Sequence, residues 1–212
     1  MRVIAAGAAV LALAASAGNA SAAFQSSVSR LPPHVRERVI GSSWHSGCPV
    51  PIRKVRLVRV SIHKFDGSKR QARLIVHRVE AHSIVRVMHK LWRAEYPIRR
   101  MRLIDAYGAD DDRSMRHDNT SAFNCRYVAG TSKWSMHAYG KAIDLNPVEN
   151  PYVSGSHVSP AKGAKYADRC CHRAIVHPGD KVVRAFASIG WGWGGSWSGS
   201  TRDYQHFSTN GH

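Results

Sequence analysis

Four side chains in the second half of this 212-residue chain have the types and spacing of a metal-assisted hydrolytic site. His137 and Asp144 fall within Ser135-Met136-His137-Ala138-Tyr139-Gly140-Lys141-Ala142-Ile143-Asp144, and His206 falls within Asp203-Tyr204-Gln205-His206-Phe207. Imidazole nitrogens and carboxylate oxygens are zinc ligands, and a catalytic zinc keeps three protein ligands and one position open to water. His137, Asp144 and His206 supply such a set. Asp203, just ahead of His206, stays unligated and is placed to act as general base. The chemistry is attack of an activated water on a carbonyl carbon.

The segments around these residues predict how they are held. Ile143 and Leu145 alternate with Ala142, Asp144 and Asn146, a strand pattern that sends the apolar pair to a core and Asp144 to a cleft. Gly140 permits a bend or a close backbone approach where that strand begins, and Pro147 ends it. Upstream, Val55 to Phe65 and Ala72 to Val79 read as a hairpin across Asp66-Gly67. Their alternating arginines read as a solvated face. Glu80 to Tyr96 reads as a helix with Ala81, Ile84, Val85, Met88, Leu91 and Trp92 on one side, stopped by Pro97. His82 and His89 on it face solvent. Met101 to Ala106 reads as a strand with Asp105 at its end, poised to support the site. Asp110-Asp111-Asp112 reads as a solvated loop, because it lacks the spaced ligands of a calcium loop. Residues 150–178 form a long connection, and Asp180 caps a helix running to Ile189. Trp191-Gly192-Trp193-Gly194-Gly195-Ser196-Trp197 reads as part cleft wall and part core strand. For Arg126, the residues alone leave two roles even: a surface salt bridge, or a fixed guanidinium that stabilises developing negative charge.

Composition sets the class. With 43% hydrophobic and 21% charged residues the chain is globular rather than disordered. Thirty-one Lys and Arg against 14 Asp and Glu give a net charge of +17, which draws a protein to polyanions: an anionic cell wall, a membrane surface or extracellular nucleic acid. Charge alone selects none of them, and solubility alone would also account for it. Arg2, the apolar run Val3 to Ala17 and Gly18-Asn19-Ala20-Ser21-Ala22 read as a signal peptide over 1–22, shorter than the ~20 apolar residues of a spanning helix. The expectation is an exported protein with no stable membrane insertion after cleavage. Residues 23–40 read as a lead-in with a short helix from His34 to Ile40, and 41–212 as one domain. In an oxidising compartment disulfides are expected: Cys48 with Cys125, while adjacent Cys170 and Cys171 form either a vicinal bridge or two thiols.

The ordered combination Ser135-x-His137-x-x-Gly140-x-Ala142-x-Asp144 followed by Asp203-x-x-His206 resembles the D-alanyl-D-alanine carboxypeptidase and L-alanyl-D-glutamate endopeptidase family of bacterial zinc peptidases. Gly41-Ser42-Ser43-Trp44, Asp105-Ala106-Tyr107-Gly108, Thr120 to Arg126, Asn146-Pro147 and Trp191 to Gly195 extend the resemblance over roughly residues 41–208. It implies an α+β fold of the hedgehog/DD-peptidase type, a small antiparallel sheet with flanking helices. It further implies one Zn2+ on His137, Asp144 and His206, Asp203 as catalytic base, Arg126 stabilising the transition state, and Ser135 contacting substrate. The substrate class implied is a peptidoglycan stem peptide, with anionic wall polymers as further partners and no specific nucleic acid. Met136 stands where relatives often carry a polar residue. The rival expectation is a non-enzymatic basic protein with a closed structural zinc that holds wall polymer or another polyanion.

Overall fold

The computed structural model describes residues 23–212, so the expected signal peptide lies outside the described residues. The chain is a mixed α+β structure of several small sheets and helices. Ser26–Ser29 (β1) lies antiparallel against Val55–His63 (β2), which forms the expected hairpin with Lys69–His77 (β3) in a register running from Val55↔His77 to His63↔Lys69. Asp66 closes the turn by accepting from the Ser68 amide and hydroxyl at 2.9 and 2.6 Å. β1 has no alternating pattern to betray it; it is a strand because β2 offers it an edge. Between β1 and β2 lies Pro33–Val39 (α1).

Both faces of the hairpin are covered. On one, Val58, Val60, Leu74 and Val76 meet Ala81, Ile84, Val87, Met88 and Leu91 of Ala81–Arg93 (α2). On the other, Leu57 and Ile75 meet Val35 and Val39 of α1 together with Leu103 and Phe123. This double burial explains why the strands carry apolar pairs such as Leu57-Val58 and Leu74-Ile75 that break strict alternation. His82 and His89 are exposed, as expected.

The strand expected over 101–106 is not formed. Arg100–Met101 (β4) pairs in parallel with Asn119–Thr120 (β5), and the chain then coils into a single 3-10 turn, Ile104–Tyr107. Leu103 and Ile104 are consecutive yet both buried, which a turn permits and a half-exposed strand does not. Asp110 is the N-cap of Asp111–Arg116 (α3), accepting from the Arg113 amide at 2.9 Å. The acidic triplet is therefore a helix start, where carboxylates complement the exposed N–H groups.

Ala142–Asp144 (β6), Gly192–Trp193 (β9) and His206–Ser208 (β11) form a three-stranded antiparallel sheet with β11 in the middle. Beside it, Tyr152–Ser154 (β7), His157–Ser159 (β8) and Thr201–Asp203 (β10) form another, with β7 in the middle. Lys181–Ala187 (α4) is capped by Asp180, which accepts from the Val182 and Val183 amides. Its Phe186 stacks on Phe207 of β11 with ring centroids 4.0 Å apart. Cys48 is bonded to Cys125 as expected, and Cys170 to Cys171.

One buried cluster gives the fold a pH dependence. Arg99 reaches Asp118 at 3.4 Å and Glu149 at 3.3 Å. Burial, then the neighbouring Asp118 charge, pushes the Glu149 carboxyl up to about 8, with Arg99 opposing. A folded-state value above the unfolded one means that Glu149 supports folding fully below its ordinary 4.5 and that this support is lost as pH rises through about 8. Glu149→Gln keeps the neutral shape at every pH. Denaturant midpoints at about pH 5 and about pH 8.5 should therefore fall less between the two pH values in the variant than in wild type. Equal falls would show that Glu149 titrates normally.

Candidate metal centre and active site

The two sheets meet at a two-residue turn, and the site is built there. Asp203 is the last residue of β10 and His206 the first of β11, with Tyr204-Gln205 between them. The register of β11 on β6 sets His206 directly opposite Asp144. On its other side β6 is held by Ser121, through Ser121 N–H to Asp144 O at 3.1 Å and Asp144 N–H to Ser121 O at 3.0 Å. Asp144 is thus clamped by backbone pairing on both sides. Leu145 and Asn146 extend the burial, so the cleft-and-core alternation expected here gives way to a strand buried on both faces. Asn146 takes a left-handed turn (φ +43) and donates to Pro97 O at 2.7 Å, and its amide donates to Thr120 Oγ1. These bonds set the exit of β6.

His137 arrives from a 3-10 turn, Met136–Tyr139, whose N-cap is Ser135 and whose last residue precedes Gly140 at φ +64. Gly140 packs against β3: its carbonyl accepts from His77 N–H at 2.8 Å, and a Cβ there would stand 2.6 Å from His77 N. The turn is therefore pinned to the hairpin at a point only glycine can occupy.

The three candidate ligands converge and are buried: His137 is 2% exposed, Asp144 3% and His206 6%. His137 Nε2 lies 3.1 Å from Asp144 Oδ2, and His206 Nδ1 lies 3.0 Å from Asp144 Oδ1. His137 Nδ1 faces the Ala122 carbonyl at 2.5 Å. That carbonyl can only accept, so Nδ1 carries the proton and the Nε2 lone pair is directed at the cluster. His137 Nε2 and His206 Nε2 are buried without a well-formed hydrogen bond. Burial would raise the Asp144 carboxyl, but the two imidazoles prevail and hold it well below the usual carboxylate range. An ionised carboxylate between two imidazoles, with ligand atoms all within 4.8 Å, fits a divalent cation with a nitrogen and oxygen preference.

Asp203 stands next to this group. Burial pushes its carboxyl up to about 6, the His206 charge opposing and the Asp144 charge adding to the rise. Its Oδ1 is buried and has no partner. Gly194 makes room for it: a Cβ on Gly194 would lie 2.5 Å from Asp203 O and 2.9 Å from Asp203 Cβ. A lone buried carboxylate oxygen with a raised affinity for protons, beside a metal-ligand cluster, is what a general base requires.

With this geometry in place, a comparison with known families adds a finding. Residues 129–209 match the model of the D-alanyl-D-alanine carboxypeptidase family. That family is one of zinc metallopeptidases, and the matched segment contains Ser135, His137, Asp144, Asp203 and His206. No curated protein and no solved structure matches the chain. The carboxypeptidase match begins three residues after Arg126, so the resemblance noted over 41–128 lies outside it.

Around the carboxypeptidase segment the remaining candidates take definite places. Arg126 is paired through its backbone to the motif, Ser135 N–H donating to Arg126 O at 3.1 Å. Its guanidinium contacts Asp111 Oδ2 at 2.7 Å, and its Nε is buried and unpartnered. Asp111 is the residue that sequence reasoning missed. Burial raises its carboxyl, while Arg126 and His137 favour ionisation and Asp144 opposes it, which sets Asp111 within electrostatic reach of the ligand cluster. Its only signal in the sequence was an acidic helix start. Ser135 is 5% exposed, and its Oγ accepts from His137 N–H at 3.2 Å. In this arrangement it orients the ligand turn. Asp105 does not reach the cluster; it accepts from the Ser43 amide and hydroxyl at 3.3 and 2.8 Å. Ser43 in turn accepts from Cys125 N–H at 2.9 Å, so Asp105 braces the segment that leads to Arg126. The tryptophans divide as expected: Trp191 and Trp193 are core, while half-buried Trp197 has its ring centroid 6.2 Å from that of His206.

Proposed function

We propose that this protein is an exported zinc-dependent peptidase of the hedgehog/DD-peptidase fold, with 41–212 as its peptidase domain, that hydrolyses peptide bonds in peptidoglycan stem peptides. The observation that carries the reading is the buried His137/Asp144/His206 cluster with the unpartnered carboxylate oxygen of Asp203 beside it. The family match supplies the reaction class, and the disulfide between Cys48 and Cys125 accords with an oxidising compartment outside the cytoplasm. Among the described residues no helix is long and apolar enough to cross a membrane.

His137, Asp144 and His206 would hold the zinc, which supplies Lewis-acid polarisation of water and of the scissile carbonyl. The residues of the chain do the rest. Asp203 takes the proton of the attacking water on its free Oδ1 and returns it to the leaving amine. Arg126 presents its guanidinium to the developing oxyanion, with Asp111 fixing its direction. Asp144, kept ionised by its two imidazoles, leaves proton transfer to Asp203. Ser135, beyond capping the ligand turn, has a hydroxyl hydrogen left for a substrate carbonyl. The Trp197 side of the cleft gives flat apolar area to the peptide backbone.

The rival reading, a closed structural zinc in a polyanion-binding protein, needs a fourth protein ligand. The ligand group contains three residues. His157 is exposed on β8, and all four cysteines are in disulfides. The peptidase reading is tested on purified peptidoglycan and on stem peptides, before and after full chelation. Hydrolysis should stop without metal and return with added Zn2+, and mass spectrometry of the products should show cleaved peptide bonds. Cleavage that persists after complete metal removal would sink the zinc mechanism.

A further inference from the structure

Several cations of the chain gather around concavities, and one concavity holds six. A cavity of about 590 Å3 on the α1 side of the hairpin is lined by Arg30, Arg36, Arg53, Lys54, Arg56 and Arg78, together with Leu31, Ile52 and Val55 and with no carboxylate in the lining. Three stretches of the chain contribute: residues 30–36 from the end of β1 into α1, residues 52–56 from the turn into the start of β2, and Arg78, the residue after β3. None of the six cations is within ion-pair distance of an acid among the described residues. The cavity is held open by backbone bonds, Arg78 N–H to Lys54 O at 2.8 Å and Lys54 N–H to Pro51 O at 2.8 Å. The Arg56 guanidinium is steadied on the Arg53 and Val55 carbonyls at 3.0 and 2.9 Å. Gathering six cations without counter-charge around one concavity costs repulsion that an anion would relieve.

We propose that this cavity binds a linear phosphodiester polyanion that carries no bases, of the glycerol-phosphate type found in cell envelopes. The partner is chosen on chemistry. Repeated phosphates match a cluster of guanidinium groups, which bind them through paired N–H donors. Single-stranded nucleic acid is held by aromatic platforms as well as by charge, and the lining has no aromatic residue. The cavity is linked through the backbone to the candidate ligand turn: Arg78 follows His77, whose N–H binds Gly140 in the segment between His137 and Asp144. A bound polymer would anchor the protein to the envelope. The inference stands independently of the peptidase reading, because binding is measured apart from turnover.

The test uses the full mature chain with purified poly(glycerol phosphate), single-stranded DNA of equal charge and inorganic phosphate as probes. Poly(glycerol phosphate) should bind more tightly than the DNA, and its affinity should drop about tenfold or more between low and moderate salt. The triple change Arg36→Glu, Arg53→Glu and Arg78→Glu alters three exposed side chains and should lower the affinity about tenfold or more. The same charge change at Arg38, Arg59 and Arg102, which line a separate cavity, should lower it far less. Hydrolysis of a small soluble stem peptide should be unchanged in both variants. Equal losses in the two variants, or preference for the DNA, would overturn the proposal. Unfolding of the first variant is read from its circular dichroism, and single substitutions at Arg36, Arg53 and Arg78 then carry the test.

Discussion

Asp203→Asn is expected to bind zinc with wild-type stoichiometry and to lose about 10²- to 10⁴-fold in turnover, the usual weight of a positioned proton acceptor. The side chain keeps its shape and its fit against Gly194, where the backbone and Cβ of Asp203 leave no room for a larger residue. What it loses is the ability to take a proton on Oδ1, the oxygen with no competing partner. Metal content measured alongside steady-state rates separates this role from a ligand role. Full turnover in the variant would place the base elsewhere; loss of zinc would make Asp203 part of the coordination set. His206→Ala is the contrasting case, since His206 sits opposite Asp144 in the ladder and is one of the three converging ligands.

Gly140→Ala should damage the fold and the site together. The residue has φ +64, and the new Cβ would meet the backbone of His77 at 2.6 Å and of Val76 at 3.1 Å. Neither contact can be relieved by rotating a side chain. A left-handed alanine costs about 1 kcal/mol and the overlap about 1–3 kcal/mol. For a chain of this size the two correspond to a fall in melting temperature of about 5–15 °C. Relief would come by moving the turn that bears His137, so zinc affinity should weaken as well. A thermal melt and a zinc titration give the two readouts. A variant that melts and binds zinc like wild type would show that the turn is not pinned to β3.

Much of the candidate site could be read from residue order, because metal ligation would demand specific side-chain types. His137, Asp144, His206 and Asp203 stood out by chemistry and spacing before any fold was known. The hairpin, α2, the cap at Asp180 and the bond between Cys48 and Cys125 were legible for a similar reason: period, turn residues and cysteine pairing act locally or through few partners. Misreadings arose where tertiary packing overrode local pattern. Residues 101–106 read as a strand, yet the consecutive Leu103 and Ile104 are both buried and the chain turns. β1 carries no pattern and exists because β2 had an unpaired edge.

The composition and motifs by themselves determined a basic globular chain with three candidate metal ligands and a further carboxylate beside the last of them in sequence. Only the tertiary structure decided that His206 faces Asp144 across a ladder, that Asp111 holds Arg126, that Ser135 caps the ligand turn, and that six of the many cations share one concavity. The reason is physical. Side-chain type sets what a residue can bind, whereas direction, neighbours and burial come from strand register and from contacts between segments far apart in the chain.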